Sequence, residues 1–297
     1  MKMGSCQCSH RERPIFPSEN KNYEQLRFFD QGVSLSALIR LRDLVRVTNP
    51  KWTTIDVNEF LIKEWTAESK SSLTSLLYSK YRTERHPHLQ MTYEEVVCGK
   101  ATIYLSHAWI YNFVELVDAI EVFALQNKDA SFSFWFDLLI NDQWNCFNKS
   151  FDWWSNTFAG AIGDIGHTLL VVLPWQNPTS LTRAWCIWEL YCSIQRDALL
   201  SVTMSPTQLR NIKAVPTENE LMEKISTIFS FNPAALESFN SDFVSKIFAS
   251  LKVPEVISEK GRENKSVNDF FKDKLQSRVE SEYVMLWKSV QAGTEDL

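Results

Sequence analysis

Six residues in the middle of this chain have the types and spacing of a site for a ligand that carries a flat ring and sugar hydroxyls. Trp185 and Glu189 lie in the run Thr182-Arg183-Ala184-Trp185-Cys186-Ile187-Trp188-Glu189-Leu190. They are four positions apart, so on a helix an aromatic face and a carboxylate project from the same side. Ser106, His107 and Trp109 follow one apolar strand-like run, and Asp137 ends a second. A third such run ends in Pro174-Trp175-Gln176-Asn177. In an open parallel sheet, ligands bind outside the carboxyl ends of the strands, which is where all of these residues would meet.

Each candidate also has an ordinary reading. Glu189 can be a solvated helix residue, Trp185 a packing aromatic, Asp137 the cap of the turn after its strand, and His107 a residue at the core edge. Cys186, near a helix N-terminus, could pair with His107 as nucleophile and base. No oxyanion hole or orienting group for such a pair can be read from the sequence.

The elements that must position these residues alternate between strand and helix, the signature of a parallel sheet. The first strand is Thr102 to Ser106, followed by a helix that opens with an Asn112-x-x-Glu115 box and carries Val114, Val117, Ile120 and Phe123. Phe132 to Asp137 is the second strand. A polar loop with Asn141, Asp142, Gln143 and Asn145 leads to a helix from about Asp152, with Trp154, Phe158, Ile162 and Ile165 on its apolar side. The third strand, Thr168 to Leu173, is almost wholly aliphatic, as expected where both faces are covered. Pro174 closes it, a helix runs from about Thr182 to Arg196, and Ser201 to Met204 reads as a fourth strand.

On either side the pattern is helical. Four regions are expected: a flexible arm over 1–20, an N-terminal helical region over 21–99, the α/β domain over 100–204 and a C-terminal helical region over 205–297. The N-terminal helices run from Ser34 through Val45, from Asp56 with Glu59 closing a capping box, and around Leu73, Leu76 and Leu77. The C-terminal ones begin at a Thr217-x-x-Glu220 box, pass through Phe243, Ile247 and Leu251, and finish, after a charged linker from Ser258 to Lys265, in a stretch through Phe270, Leu275, Val279, Tyr283 and Leu286.

Composition sets the class. With 44% hydrophobic and 13% aromatic residues in 297, the chain can bury a core. A net charge of −5 argues against a nucleic-acid binder working by phosphate neutralisation. The longest apolar run, Thr168 to Trp175, is too short to span a bilayer, and no secretory leader is recognisable, so a soluble cytoplasmic protein is expected. Cys186 and Cys192, among apolar neighbours, read as reduced core thiols. No metal site is expected: Cys6-x-Cys8-x-His10 supplies three donors at tight spacing, and His86-x-His88 reads as solvated.

Together the strand ending Leu105-Ser106, then Phe136-Asp137, Ala161-Ile162, the aliphatic third strand and Trp185-Cys186-x-x-Glu189-Leu190 resemble the successive landmarks of a Toll/interleukin-receptor (TIR) domain over about 100–204. The Trp-Cys-x-x-Glu-Leu run is closest to the plant-immune-receptor and bacterial branch. The resemblance implies a flavodoxin-like parallel sheet flanked by helices. In enzymatic members, NAD is cleaved at the nicotinamide–ribose bond, which implies Glu189 as the catalytic carboxylate and NAD as a substrate rather than a resident cofactor. It further implies that Ser106, His107 and Trp109 line the nucleotide pocket with Asp137, that the loop after Asp137 gates it, and that Trp185 contacts ring or sugar. Where the plant branch has a basic residue and glycine, this chain has Ser106-His107-Ala108-Trp109, and its loop Leu138 to Ser150 lacks the usual glycine. A non-enzymatic module that self-associates or binds other TIR-like domains, through Trp144, Trp153 and Trp175, is the alternative. A nucleoside or nucleotide transferase on the same topology is a third.

Overall fold

The computed structural model describes residues 30–146, 149–228, 246, 256–258, 261–263 and 275–293. The arm with Cys6, Cys8 and His10, the expected segment through Phe243, Ile247 and Leu251, and Phe270 lie outside the described residues.

Strand β1 (Gln31–Ser34) leads directly into helix α1 (Leu35–Thr48), whose N-terminus is capped by the Ser34 hydroxyl accepting from the Ala37 amide. Helix α2 (Thr54–Val57) continues through a π turn (Asn58–Ile62) into α3 (Lys63–Trp65). Its start differs from expectation. Thr53, not Asp56, is the cap, and Asp56 closes the box by accepting from the Thr53 amide at 2.8 Å. A hydroxyl was available one turn earlier, so the helix begins there. Helix α4 (Leu73–Lys80) and the short α5 (Tyr93–Val96) follow, then β2 (Val97–Lys100) and β3 (Ile103–Ser106). Helix α6 (Phe113–Gln126) starts at the Asn112 cap, as its box predicts. After β4 (Ser133–Trp135) come α7 (Asp137–Ile140), α8 (Phe151–Ile165), β5 (His167–Val171), a 3-10 turn (Thr179–Thr182), α9 (Ala184–Gln195) and β6 (Leu199–Thr203). The C-terminal part contributes α10 (Pro206–Lys213), α11 (Glu218–Ile228), a hairpin of β7 (Val256–Ser258) with β8 (Gly261–Glu263), and α12 (Ser277–Gln291). The hairpin occupies part of the stretch expected as a charged linker.

Six strands form one sheet in the order β2-β1-β4-β3-β5-β6. Strands β4, β3, β5 and β6 are parallel, while β1 runs antiparallel to both β2 and β4. The sheet is therefore mixed, not purely parallel, and the region expected to be only helical supplies two of its strands. Four residues such as Gln31–Ser34 are too few to show a period of two, and they run straight into the helical period of α1. Gly32 makes the insertion possible: a Cβ there would stand 2.6 Å from Ser133 Cβ and 2.8 Å from the Ala101 Cα.

Alternation along the strands assigns the helices to faces. On β5, Thr168 bonds Ser193 of α9 at 2.8 Å, whereas His167 turns to Phe123 of α6. Helices α8 and α9 thus cover one face over β3 and β5, and α6, backed by α1, covers the other. On the α8 side, Tyr104 and Trp135 are neighbours in register and stack at 4.8 Å with their planes 9° apart, an arrangement contributing about 0.5–1.5 kcal/mol beyond burial.

Arg42, 7% exposed, joins α1 to α6: its guanidinium donates to Asp118 at 2.8 Å and to Glu121. Removing one side of a buried ion pair strands the other charges. Arg42→Met should lower stability by about 2–3 kcal/mol in a denaturant titration, less than a fully buried pair would, because Asp118 and Glu121 keep some water.

Candidate active site

At the carboxyl ends of β3 and β4 lies a cavity of about 300 Å³, the small end of the usual range for small-molecule sites. Its deepest charged group is Glu189, on the second turn of α9, 8% exposed. Two hydroxyls from β3 hold that carboxyl. Tyr104 donates to Oε1 at 2.9 Å and Ser106 donates to Oε2 at 2.6 Å. Residues 104 and 106 are alternate positions on one strand, so both hydroxyls face α9. Each carboxyl oxygen keeps a further lone pair for a ligand.

Burial pushes the Glu189 carboxyl up to about 8, against the opposing pull of the Ser106 and Tyr104 hydrogen bonds and with a further push from Asp137. Burial likewise raises Tyr104 well above its ordinary range, so the phenol remains a neutral donor. A carboxyl that titrates near 8 when folded and at an ordinary 4.5 when unfolded holds a proton that the unfolded chain releases. Its contribution to stability is whole below about pH 4.5 and erodes as pH rises toward 8. Glu189→Gln, which cannot ionise, should therefore melt higher than the parent at pH 9 and not at pH 4, the gap amounting to something on the order of 4 kcal/mol. Equal melting points at pH 9 would contradict this burial.

Asp137 opens α7 and is fixed by the Trp109 indole, which donates to Oδ2 at 2.8 Å. Its Oδ1 has no hydrogen-bond partner and stands 4.0 Å from His107 Nε2, which also has none. Burial raises the Asp137 carboxyl and lowers the His107 imidazole, so each is pushed toward its neutral form. Asn58 Oδ1, from the π turn, and Asn141 Oδ1, at the end of α7, are two more buried acceptors without a partner in the residues lining the cavity. Trp109, Trp154, Phe158 and Trp185 supply aromatic wall, and Arg183 and Glu59 also line it.

Of the sequence-predicted residues, His107, Trp109, Asp137, Trp185 and Glu189 line this one cavity, and Ser106 stands behind Glu189. Trp185 lines the cavity while stacking on Phe151 at 5.7 Å and meeting Phe158 edge-on at 5.3 Å. Cys186 does not pair with the His107 ring. Its thiol donates to the His107 carbonyl at 3.3 Å, and burial raises it well above the ordinary thiol range, the opposite of an activated nucleophile. His86 is not solvated but buried at 2% exposure, packed on Trp65 and Tyr81. Among the described residues no group of His, Cys, Asp and Glu could hold a metal ion.

Tyr104 and the π-turn residues Asn58 and Glu59 were missed by sequence reasoning. For Tyr104 a signal existed, since it shares the period-two face of Ser106. For Asn58 there was none, because nothing local places a residue of the N-terminal region beside Glu189. Of the aromatics expected at the surface, Trp175 is buried and Trp144 and Trp153 are half-buried. The Trp175 carbonyl accepts from Tyr283 of α12 at 3.1 Å. Trp144 donates to Thr66 at 3.0 Å beneath the Lys70 ammonium, and Trp153 packs edge-on to Trp154. No family model, curated protein or solved structure matches the chain. No described helix is long and apolar enough to cross a membrane.

Proposed function

We propose that this chain is a TIR-like signalling module that hydrolyses NAD at the nicotinamide–ribose bond, with Glu189 as the catalytic carboxylate. The observation that carries this reading is a buried carboxyl, held by two hydroxyls, in an aromatic-walled cavity at strand carboxyl ends. Aromatic faces combined with carboxylates favour an organic cation, and the nicotinamide ring of NAD is one. The order β4-β3-β5-β6 corresponds to the first four strands of a flavodoxin-like sheet, with the cavity at strand carboxyl ends, and so supports the resemblance.

The chemistry asks little of the protein. The bond between ribose C1′ and the ring nitrogen breaks, and its electron pair leaves with neutral nicotinamide. Water adds to the oxocarbenium carbon and one proton is released, giving ADP-ribose. Glu189 in its charged form stabilises the oxocarbenium, and its spare lone pairs accept the ribose hydroxyls. Binding a cation beside Glu189 lowers the carboxyl's affinity for its proton, so substrate itself promotes the active form. A cytoplasmic setting is part of the proposal, supported by the buried free thiols Cys186 and Cys192.

The test is incubation of concentrated protein with NAD under crowding, with Glu189→Ala alongside, following nicotinamide by chromatography. Release by the parent alone is expected. Release by both would move the catalytic group elsewhere, and release by neither would leave a non-enzymatic assembly module in front. That second reading has its own observation: Ile55, Phe60 and Ile110 are 45%, 52% and 57% exposed, and Ile55 lines the cavity while its amide bonds the Trp109 carbonyl. A strictly monomeric protein at high concentration would remove it.

A further inference from the structure

The unpartnered acceptors of the cavity wall ask for a particular ligand group. Asp137 Oδ1 and His107 Nε2 face one another at 4.0 Å, too far for a direct hydrogen bond. In the neutral tautomer that carries its proton on Nδ1, His107 Nε2 is an acceptor. Two acceptors at that separation are satisfied together by one atom that carries two hydrogens and sits about 2.9 Å from each. Asn141, one turn after Asp137, adds a third unpartnered oxygen, and the π turn packed against α7 adds Asn58 Oδ1. Trp109 holds the other Asp137 oxygen, so the carboxyl cannot swing away to find another donor without breaking that bond.

We propose that this gap seats the amino end of a carboxamide, so that the site takes nicotinamide-bearing substrates and rejects their nicotinic-acid counterparts. The inference rests on the NAD reading above and names the feature of the substrate that is read. A carboxylate in the same place has no hydrogen to give to either acceptor. Sites built to hydrogen-bond a group discriminate strongly against analogues that lack it. Asp137 is thus a specificity residue, distinct from the catalytic Glu189.

The experiment compares NAD with the nicotinic-acid dinucleotide as substrates of the full chain, and free nicotinamide with nicotinate as ligands in calorimetric titrations. The parent should favour the amide member of each pair by at least about tenfold. Asp137→Asn, which offers an N–H as well as a carbonyl, should bring the ratio for the dinucleotides to within about threefold. A ratio measured on one preparation does not depend on the fraction folded, and if Asp137→Asn fails to fold, the parent's own ratios decide. Equal handling of amide and acid by the parent overturns this inference and leaves NAD cleavage standing. Binding and cleavage of neither overturns both.

Discussion

Glu189→Gln is expected to lower the rate of nicotinamide release from NAD by about a thousandfold, with a much smaller change in KM. Glutamine keeps the volume and leaves a carbonyl for Tyr104 or Ser106, but it cannot carry the charge that the transition state needs. Losing one preorganised electrostatic contact of this kind costs roughly two to three powers of ten. The pH profile separates this from a structural defect. In the parent, kcat/KM should climb with pH until the Glu189 carboxyl is ionised, about 8 in the free protein. In the variant that limb should disappear while the protein, freed of a buried charge, should be more stable at the alkaline end. Tyr104→Phe, by contrast, leaves the carboxylate one donor short and should cost about tenfold. A Glu189→Gln rate within threefold of the parent would remove Glu189 from the chemistry.

Gly32→Val is expected to be the most damaging single change to the fold. Even a Cβ would sit 2.6 Å from both Cβ and Oγ of Ser133, and the nearest backbone, Ala101 Cα, is 2.8 Å away. Neither neighbour is the far end of a flexible chain, so the strands themselves must separate. Overpacking of a well-filled interior costs about 1–3 kcal/mol or more, and here it falls on the pairing of β1 with β4. Thermal melting should drop by several degrees, and limited proteolysis should cut first in the segment before β3. An unchanged melting temperature would show that β1 is not docked as described.

The middle of the chain was legible because its signals are local. An aliphatic run such as Leu169 to Val172 has one good place, the centre of a covered sheet. Caps at Asn112 and Thr217 announce helices with a side chain that needs a backbone amide within three residues. The convergence of Glu189 with Asp137 and His107 followed from a rule about strand ends rather than from any pairwise signal. What escaped was set at long range. Gln31–Ser34 is a strand because β2 and β4 present unpaired edges to it, not because of its own residues. Trp175 looked exposed because Tyr283 and the rest of α12 are more than a hundred positions away, and Asn58 reaches the cavity only through the packing of the π turn on α7.

The insertion of β1 between β2 and β4 also orders events in time. Val33 pairs with Val97 on one side and with Phe134 on the other, so β1 cannot finish its ladder until a strand made a hundred residues later has left the ribosome. Pairings of such high contact order form slowly, because the loop must close before any contact rewards it. The π turn that carries Asn58 packs on α7, which Asp137 opens. Assembly of the polar wall from segments as distant as those of Asn58 and Asp137 therefore falls among the slow, long-range steps of folding.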